Sequence, residues 1–296
     1  MTRVGPVHAD HAADGQAVAG RPTSSSTLPS LVVSMLTHAQ LLVGQALLDV
    51  ATGPGYSAAL ACARLGDDYV TTVDVDPYLT ETAADRLDSL GHHPGILTQD
   101  AGAELPGEYD RIVSMVSVPR VPASWLRVLR PGGRLVTTLA GTGLILTADR
   151  DEDGGAASRV EWDRGAFMAT RTSDDYPPQL DALFAQVRER DGDDVTQSPF
   201  PVLDVMQAWE VWSMLSLTAP GIEHRNGTDD DGGRMTWMLH HDGSWARAHT
   251  QPGSRTTTVH QGGPRRLYTL LEGIRWRKGS GGGGSSTANC PCTGRG

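Results

Sequence analysis

Leu48-Asp49-Val50-Ala51-Thr52-Gly53-Pro54-Gly55-Tyr56 carries an apolar strand into a glycine turn that opens a helix. Such a turn brings backbone N–H groups close to a ligand at the positive end of the helix. Twenty-five residues on (74 minus 49), Val73-Asp74-Val75-Asp76 ends a second strand, and a carboxylate there can accept both ribose hydroxyls of a nucleotide. The nicotinamide fingerprint expects three glycines spaced G-x-G-x-x-G. Here Ala51 replaces the first, Gly53 and Gly55 remain, and the later position is Ala58.

An acidic residue ahead of the glycines, Asp49, suits S-adenosylmethionine better than a dinucleotide. Its sulfonium and amino group are cationic and it has no pyrophosphate. A tight turn that binds nothing is the remaining reading. Gln99-Asp100 after a third strand offers a polar edge for an adenine amine, at the strand end where open α/β sheets bind ligands. The candidate cofactor residues are Asp49, Ala51, Thr52, Gly53, Gly55, Tyr56, Asp74, Val75, Asp100 and Ala101. Upstream, Ser25-Ser26-Thr27-Leu28-Pro29-Ser30 sets hydroxyls before the apolar run Leu31, Val32, Met35, Leu36, at a helix N-terminus where capping alone would also explain them.

The elements that must position these groups alternate as β-α-β-α-β-β-α-β between Ala46 and Leu139, the signature of a parallel sheet with crossover helices. The expected strands are 46–50, 69–75, 96–98, 109–115 and 134–139, and the expected helices 57–65, 77–90 and 122–129, with Pro131-Gly132-Gly133 as a turn. Gly143 to Ala148 and Val160 to Arg171, joined by the polar Asp149 to Ser158, read as an antiparallel ribbon. A helix with a Met206, Trp209, Val211, Trp212, Leu215 stripe, assigned to core, then precedes strands near 235–239 and 244–248 and a last helix ending at Trp276.

Lys+Arg 25 against Asp+Glu 35 leaves a net charge of −10, which argues against a general grip on nucleic acid or an anionic membrane. Lys278 is the single lysine, which removes a Schiff-base or P-loop lysine from the core. Three cysteines, Cys62, Cys290 and Cys292, make neither a disulfide framework nor a zinc pattern, so no metal is expected and a reducing cytoplasm is the default. No apolar run of membrane-spanning length occurs.

From Ser25 to about Leu139 the chain resembles protein-L-isoaspartate O-methyltransferases. The matching pieces are Ser25 to Pro29, Leu48 to Tyr56, Val73-Asp74, Asp100-Ala101-Gly102, Tyr109-Asp110-Arg111-Ile112-Val113 and Pro131-Gly132-Gly133-Arg134-Leu135-Val136. The resemblance implies S-adenosylmethionine as methyl donor. It also implies a hydroxyl segment that closes over the donor and orients a substrate carboxylate, with Ser25 and Thr27 in the catalytic positions. Three departures stand out: the helical N-terminal segment is missing or replaced, Met115 stands where threonine is common, and a C-terminal unit is added. That unit, with Asp242-Gly243-Ser244-Trp245-Ala246-Arg247 and Gln261-Gly262-Gly263-Pro264-Arg265-Arg266-Leu267, resembles variant methyltransferases encoded beside lanthipeptides and graspetides. That second resemblance implies methylation of an ordinary Asp in a macrocyclic ribosomal peptide, leading to succinimide or isoaspartate. Isoaspartate repair, or methylation of a small molecule, is the alternative. Ser26, Ser117, Arg247 and Arg265 are the candidate contacts to the peptide.

The expected architecture is α/β: a doubly wound, Rossmann-like class I methyltransferase sheet with an antiparallel edge, plus a small C-terminal α+β unit. The expected division is a leader over 1–24, the methyltransferase domain over 25–175, a connector over 176–200, a peptide-binding unit over 201–278 and a Gly/Ser tail over 279–296.

Overall fold

Apolar residues of the N-terminal half alternate between two faces of one sheet. In a computed structural model of the chain, which describes residues 24, 25, 27–173 and 179–280, strands β1 (Leu47–Val50), β2 (Val70–Asp74), β3 (Gly95–Thr98), β4 (Tyr109–Val118), β5 (Leu129–Leu139), β6 (Leu144–Arg150) and β7 (Ala156–Arg164) form a sheet ordered β3-β2-β1-β4-β5-β6-β7. The first five are parallel, and β6 and β7 add antiparallel to the β5 edge. On one face Leu47, Val113, Val136 and Ile145 pack with Met35 and Ala39 of α1 (Pro29–Ala39) and Ala61, Cys62 and Leu65 of α2 (Tyr56–Leu65). On the other, Leu48, Val73, Ile112 and Leu135 pack with Trp125 and Val128 of α4 (Ala123–Val128). Period-two alternation buried on both sides is what a doubly wound sheet requires.

Helix starts follow local chemistry. α3 (Pro77–Ser89) is capped by Asp76, whose Oδ1 accepts from Tyr78 N–H at 3.0 Å, and Pro77 sits where a missing N–H costs nothing. α1 also opens on proline, but Leu28 is its cap and no side chain caps it. The hydroxyls of 25–27 are therefore not spent as helix caps by any bond seen here, Ser26 itself lying outside the described residues.

Three stretches differ from the sequence expectation. Pro131-Gly132-Gly133 is a bulge inside β5 rather than a turn before it: Gly132 takes φ +73 while pairing with β4 shifts register between Tyr109 and Arg111. The β6–β7 loop shrinks to 151–155, because the exposed residues 156–159 extend the edge strand, and β7 ends at Arg164 rather than Arg171. At the start of β4, Asp110 accepts from Ala46 N–H and from Arg130, while Arg111 Nε donates to the Ala39 carbonyl. Within the expected connector 176–200, the described residues 179–200 fold in the C-terminal unit and hold α5 (Asp181–Val187) and β8 (Asp194–Ser198).

Contacts divide the chain at Pro178/Gln179. The C-terminal unit is an antiparallel sheet ordered β8-β12-β11-β10-β9, with β9 (Glu223–Thr228), β10 (Arg234–Leu239), β11 (Trp245–Thr250) and β12 (Thr257–Gly262). α6 (Trp209–Thr218) and α7 (Leu267–Ser280) bury Val211, Leu215, Leu267, Tyr268 and Leu271 against Met238, Ala246, Ala248 and Val259. Of the Met/Trp stripe assigned to core, Val211 and Leu215 are buried but Met206 is half exposed, because it sits in a short 3-10 turn before α6. The leader (bar Ser24) and the tail (bar Gly279 and Ser280) lie outside the described residues, and no described helix is long and apolar enough to cross a membrane.

Candidate active site

At the carboxyl end of the parallel strands, β1 breaks into the 51–55 turn. Ala51 N–H and Thr52 N–H both donate to Val73 O, at 2.8 and 3.2 Å, so the turn is stitched to β2. The chain then needs three left-handed residues within five: Ala51 (φ +73), Gly53 (φ +49) and Gly55 (φ +87). Alanine pays a steric cost there that glycine would not. Gly55 has a second reason to be glycine, since a Cβ would stand 3.3 Å from Ala83 Cβ on α3.

Two carboxylates hold this turn. Asp74 Oδ2 accepts from Gly53 N–H at 3.0 Å and Oδ1 from Asp76 N–H at 3.2 Å. Burial pushes the Asp74 carboxyl up, opposed by those two hydrogen bonds. Asp49 lies deeper. Its Oδ2 accepts from Ser57 Oγ at 3.0 Å and Thr72 Oγ1 at 2.9 Å, and Thr52 Oγ1 lies 2.7 Å from Thr72 Oγ1. Asp49 Oδ1 is buried with no partner among the described residues, and burial pushes the carboxyl up to about 7 despite the two hydroxyl donors, with Asp74 adding to the rise.

A cleft opens against the turn and is lined on three sides. Ser25, Thr27 and Val32 form one wall. Ala51, Thr52, Gly53, Tyr56, Asp74, Val75, Leu79 and Ala101 form another, and Met115, Val116 and residues 168–171 a third. The expected catalytic pair Ser25 and Thr27 is thus brought to the same cavity as seven of the ten expected cofactor residues.

The other expected residues fall elsewhere. Asp49 does not line the cavity but sits behind Ser57 and Thr52, which do; its side chain follows the pleat of β1 toward α2. Gly55 shapes the turn from outside. Asp100 is not in the lining either, because its Oδ1 folds back on Gly102 N–H at 2.7 Å to make the turn after β3. Ser117 is not a substrate contact: it is buried, its Oγ lies 2.7 Å from Thr138 Oγ1 and donates to Phe167 O at 2.9 Å. With Ser117 N–H to Met168 O and Thr170 N–H to Ser117 O, both 2.8 Å, it pins segment 165–171 beside the cavity. Arg247 and Arg265 belong to the C-terminal unit, paired with Asp191 at 3.5 Å and Asp242 at 2.7 Å.

Segment 168–171 is the wall that the sequence reading missed, having assigned it to a strand. Its irregular course is set by tertiary bonds to Ser117 and not by any local pattern, so no sequence signal announces it. A trio elsewhere, Cys62, Asp67 and His92, brings ligand-type atoms within 4.8 Å of one another, but none lines the cavity and His92 Nδ1 already bonds Asp67 Oδ1 at 3.0 Å.

The donor set fits S-adenosylmethionine. Asp74 uses one lone pair of each oxygen on backbone N–H groups, and an ionised carboxylate has about four. The cavity wall carries a carboxylate and hydroxyls suited to an adenosyl sulfonium, and the 51–56 turn itself holds no cation of the kind a triphosphate would want. A strand-turn-helix site of this kind defines the nucleotide-binding half of an open α/β enzyme fold. Residues 10–162 match the family described as Protein-L-isoaspartate(D-aspartate) O-methyltransferase (PCMT), and the chain belongs to that family. Protein-L-isoaspartate O-methyltransferases of Ignicoccus hospitalis and Thermococcus onnurineus are 35% and 37% identical over 112 residues, 36% of this chain and 53% and 50% of theirs. The chain thus spans about half the length of these curated relatives. A solved structure of a protein-L-isoaspartate O-methyltransferase aligns over 89% of this chain and 78% of its own, with 18% identity and a TM-score of 0.48.

Proposed function

We propose that the chain is an S-adenosylmethionine-dependent O-methyltransferase acting on a side-chain-type carboxylate of a protein or peptide, with an isoaspartyl residue as acceptor. The observation that carries this reading is the meeting of the 51–56 turn, Asp74 and the Ser25 and Thr27 hydroxyls in one cavity. When bound, S-adenosylmethionine supplies an electrophilic methyl on a sulfonium, and its transfer to a carboxylate leaves a methyl ester and a neutral thioether.

The chain's own residues have a limited task. An acceptor carboxyl with a pKa of about 4 is already ionised at neutral pH, so no general base is required, and none of the described lining residues is a histidine, glutamate or lysine. Asp74 holds the ribose. Ser25 and Thr27 donate hydrogen bonds that aim the carboxylate without a full countercharge that would blunt its nucleophilicity. Leu79, Met115 and Met168 exclude water. Alignment of this kind can be worth roughly 7–11 kcal/mol of barrier.

A second reading, methylation of an ordinary Asp in a cyclised ribosomal peptide, draws on one observation: residues 179–280 fold as a separate unit beyond the matched span 10–162. In that reading Arg247 and Arg265 contact the peptide and the site is cytoplasmic. Incubation with S-adenosylmethionine and either a linear isoaspartyl peptide or a cyclised aspartyl peptide, followed by mass spectrometry, separates the two. Gain of one methyl on the isoaspartyl peptide is expected. Gain only on the cyclic peptide, followed by loss of methanol to an imide, selects the second reading, and gain on neither overturns both.

A further inference from the structure

Beside Asp74 the cavity wall holds a second charged group that the turn itself does not supply. Among its described lining residues only Asp74 and Arg171 are charged. Arg171 is a cation on the wall formed by segment 168–171, and its side chain is only 6% exposed. Its Nη2 lies 3.4 Å from Asp76 Oδ2, and Nη1 donates to Ser173 O at 3.3 Å. Asp76 is fixed in turn as the α3 cap. The guanidinium is thus held in place before any ligand arrives, in a poorly hydrated wall where its field is strong. Its five-donor fork suits a carboxylate and can serve more than one acceptor.

The proposed reaction brings two carboxylates into this cavity. The acceptor's must stay nucleophilic, and a full countercharge against it would oppose the transfer. The other, on the amino-acid end of S-adenosylmethionine, takes no part in bond making and has to be desolvated to enter, which is costly without a charged partner. On the strength of the proposed function, we infer that Arg171 binds the non-reacting carboxylate of S-adenosylmethionine, and so selects amino-acid-bearing sulfonium nucleosides over those that lack the acid.

Calorimetric titration of the full chain with S-adenosylmethionine and with its decarboxylated form, in the wild type and in Arg171→Gln, tests this. Decarboxylation should weaken wild-type binding tenfold or more, and in Arg171→Gln by less than threefold. Arg171→Lys, which keeps the charge but not the fork, should fall between. A purely structural role through Asp76 would lower both affinities together and leave their ratio at the wild-type value, and that result overturns the assignment. So does an unchanged ratio accompanied by a raised KM for the peptide alone. If the wild type binds neither nucleoside, the proposed function itself fails, an outcome distinct from an unaltered ratio.

Discussion

Asp49 is a fully buried carboxyl with one oxygen unpartnered among the described residues and an ionisation point near 7, against 3.8 in an unfolded chain. Between those values the folded chain keeps a proton that the unfolded chain has lost. Folding stability therefore falls as pH rises from about 4 to about 7 and is lowest once Asp49 is ionised in both states. At about 1.4 kcal/mol per unit the full effect is on the order of 4 kcal/mol. Asp74, shifted in the same direction by burial, adds with the same sign. Asp49→Asn keeps an acceptor for Ser57 and Thr72 and removes the titration. Urea midpoints of the ligand-free protein should show the variant gaining at least about 1 kcal/mol on the wild type between pH 5 and pH 8; parallel profiles would contradict the account. The residue types at 49, 53, 55 and 74 were legible in the sequence because each answers to a local demand. That Asp49 and Asp100 stand off the cavity was not, because strand pleat and a tight turn decide where a carboxylate points.

The elements bear out the sequence where burial is two-sided and fail where it is not. β1, β2 and β4 bury apolar residues on both faces, Leu48, Val73 and Ile112 on one and Leu47, Val70 and Val113 on the other, and appear within a few residues of expectation. β8, β9 and β12 were missed because Asp-Val-Thr-Gln-Ser, Glu-His-Arg-Asn-Gly-Thr and Thr-Thr-Val-His-Gln-Gly carry too few apolar residues to alternate visibly; the first two are sheet edges, where one-sided pairing tolerates polar side chains. The β1–α2 junction makes a firmer demand. Gly55→Ala puts a Cβ at φ +87 and 3.3 Å from Ala83 Cβ, which should cost about 1–2 kcal/mol from the left-handed backbone alone. Chemical denaturation should report that loss, with weakened nucleoside binding beside it. A variant as stable as the wild type would show that the turn does not hold this conformation.

On the scale of the whole molecule, a sheet that matches a methyltransferase family is followed by a second folded unit with its own core of Val211, Leu215, Met238 and Leu271. The net charge of −10 leaves Asp74 and Arg171, the charged groups among the described cavity residues, as local features against an acidic background. Everything proposed about chemistry depends on the N-terminal cavity accepting an adenosyl ligand. Titration of the full chain with S-adenosylhomocysteine tests that most directly. The account predicts binding at one site, at least tenfold weaker in Asp74→Ala and unchanged in Arg265→Ala. No detectable binding, or binding indifferent to Asp74, would contradict it.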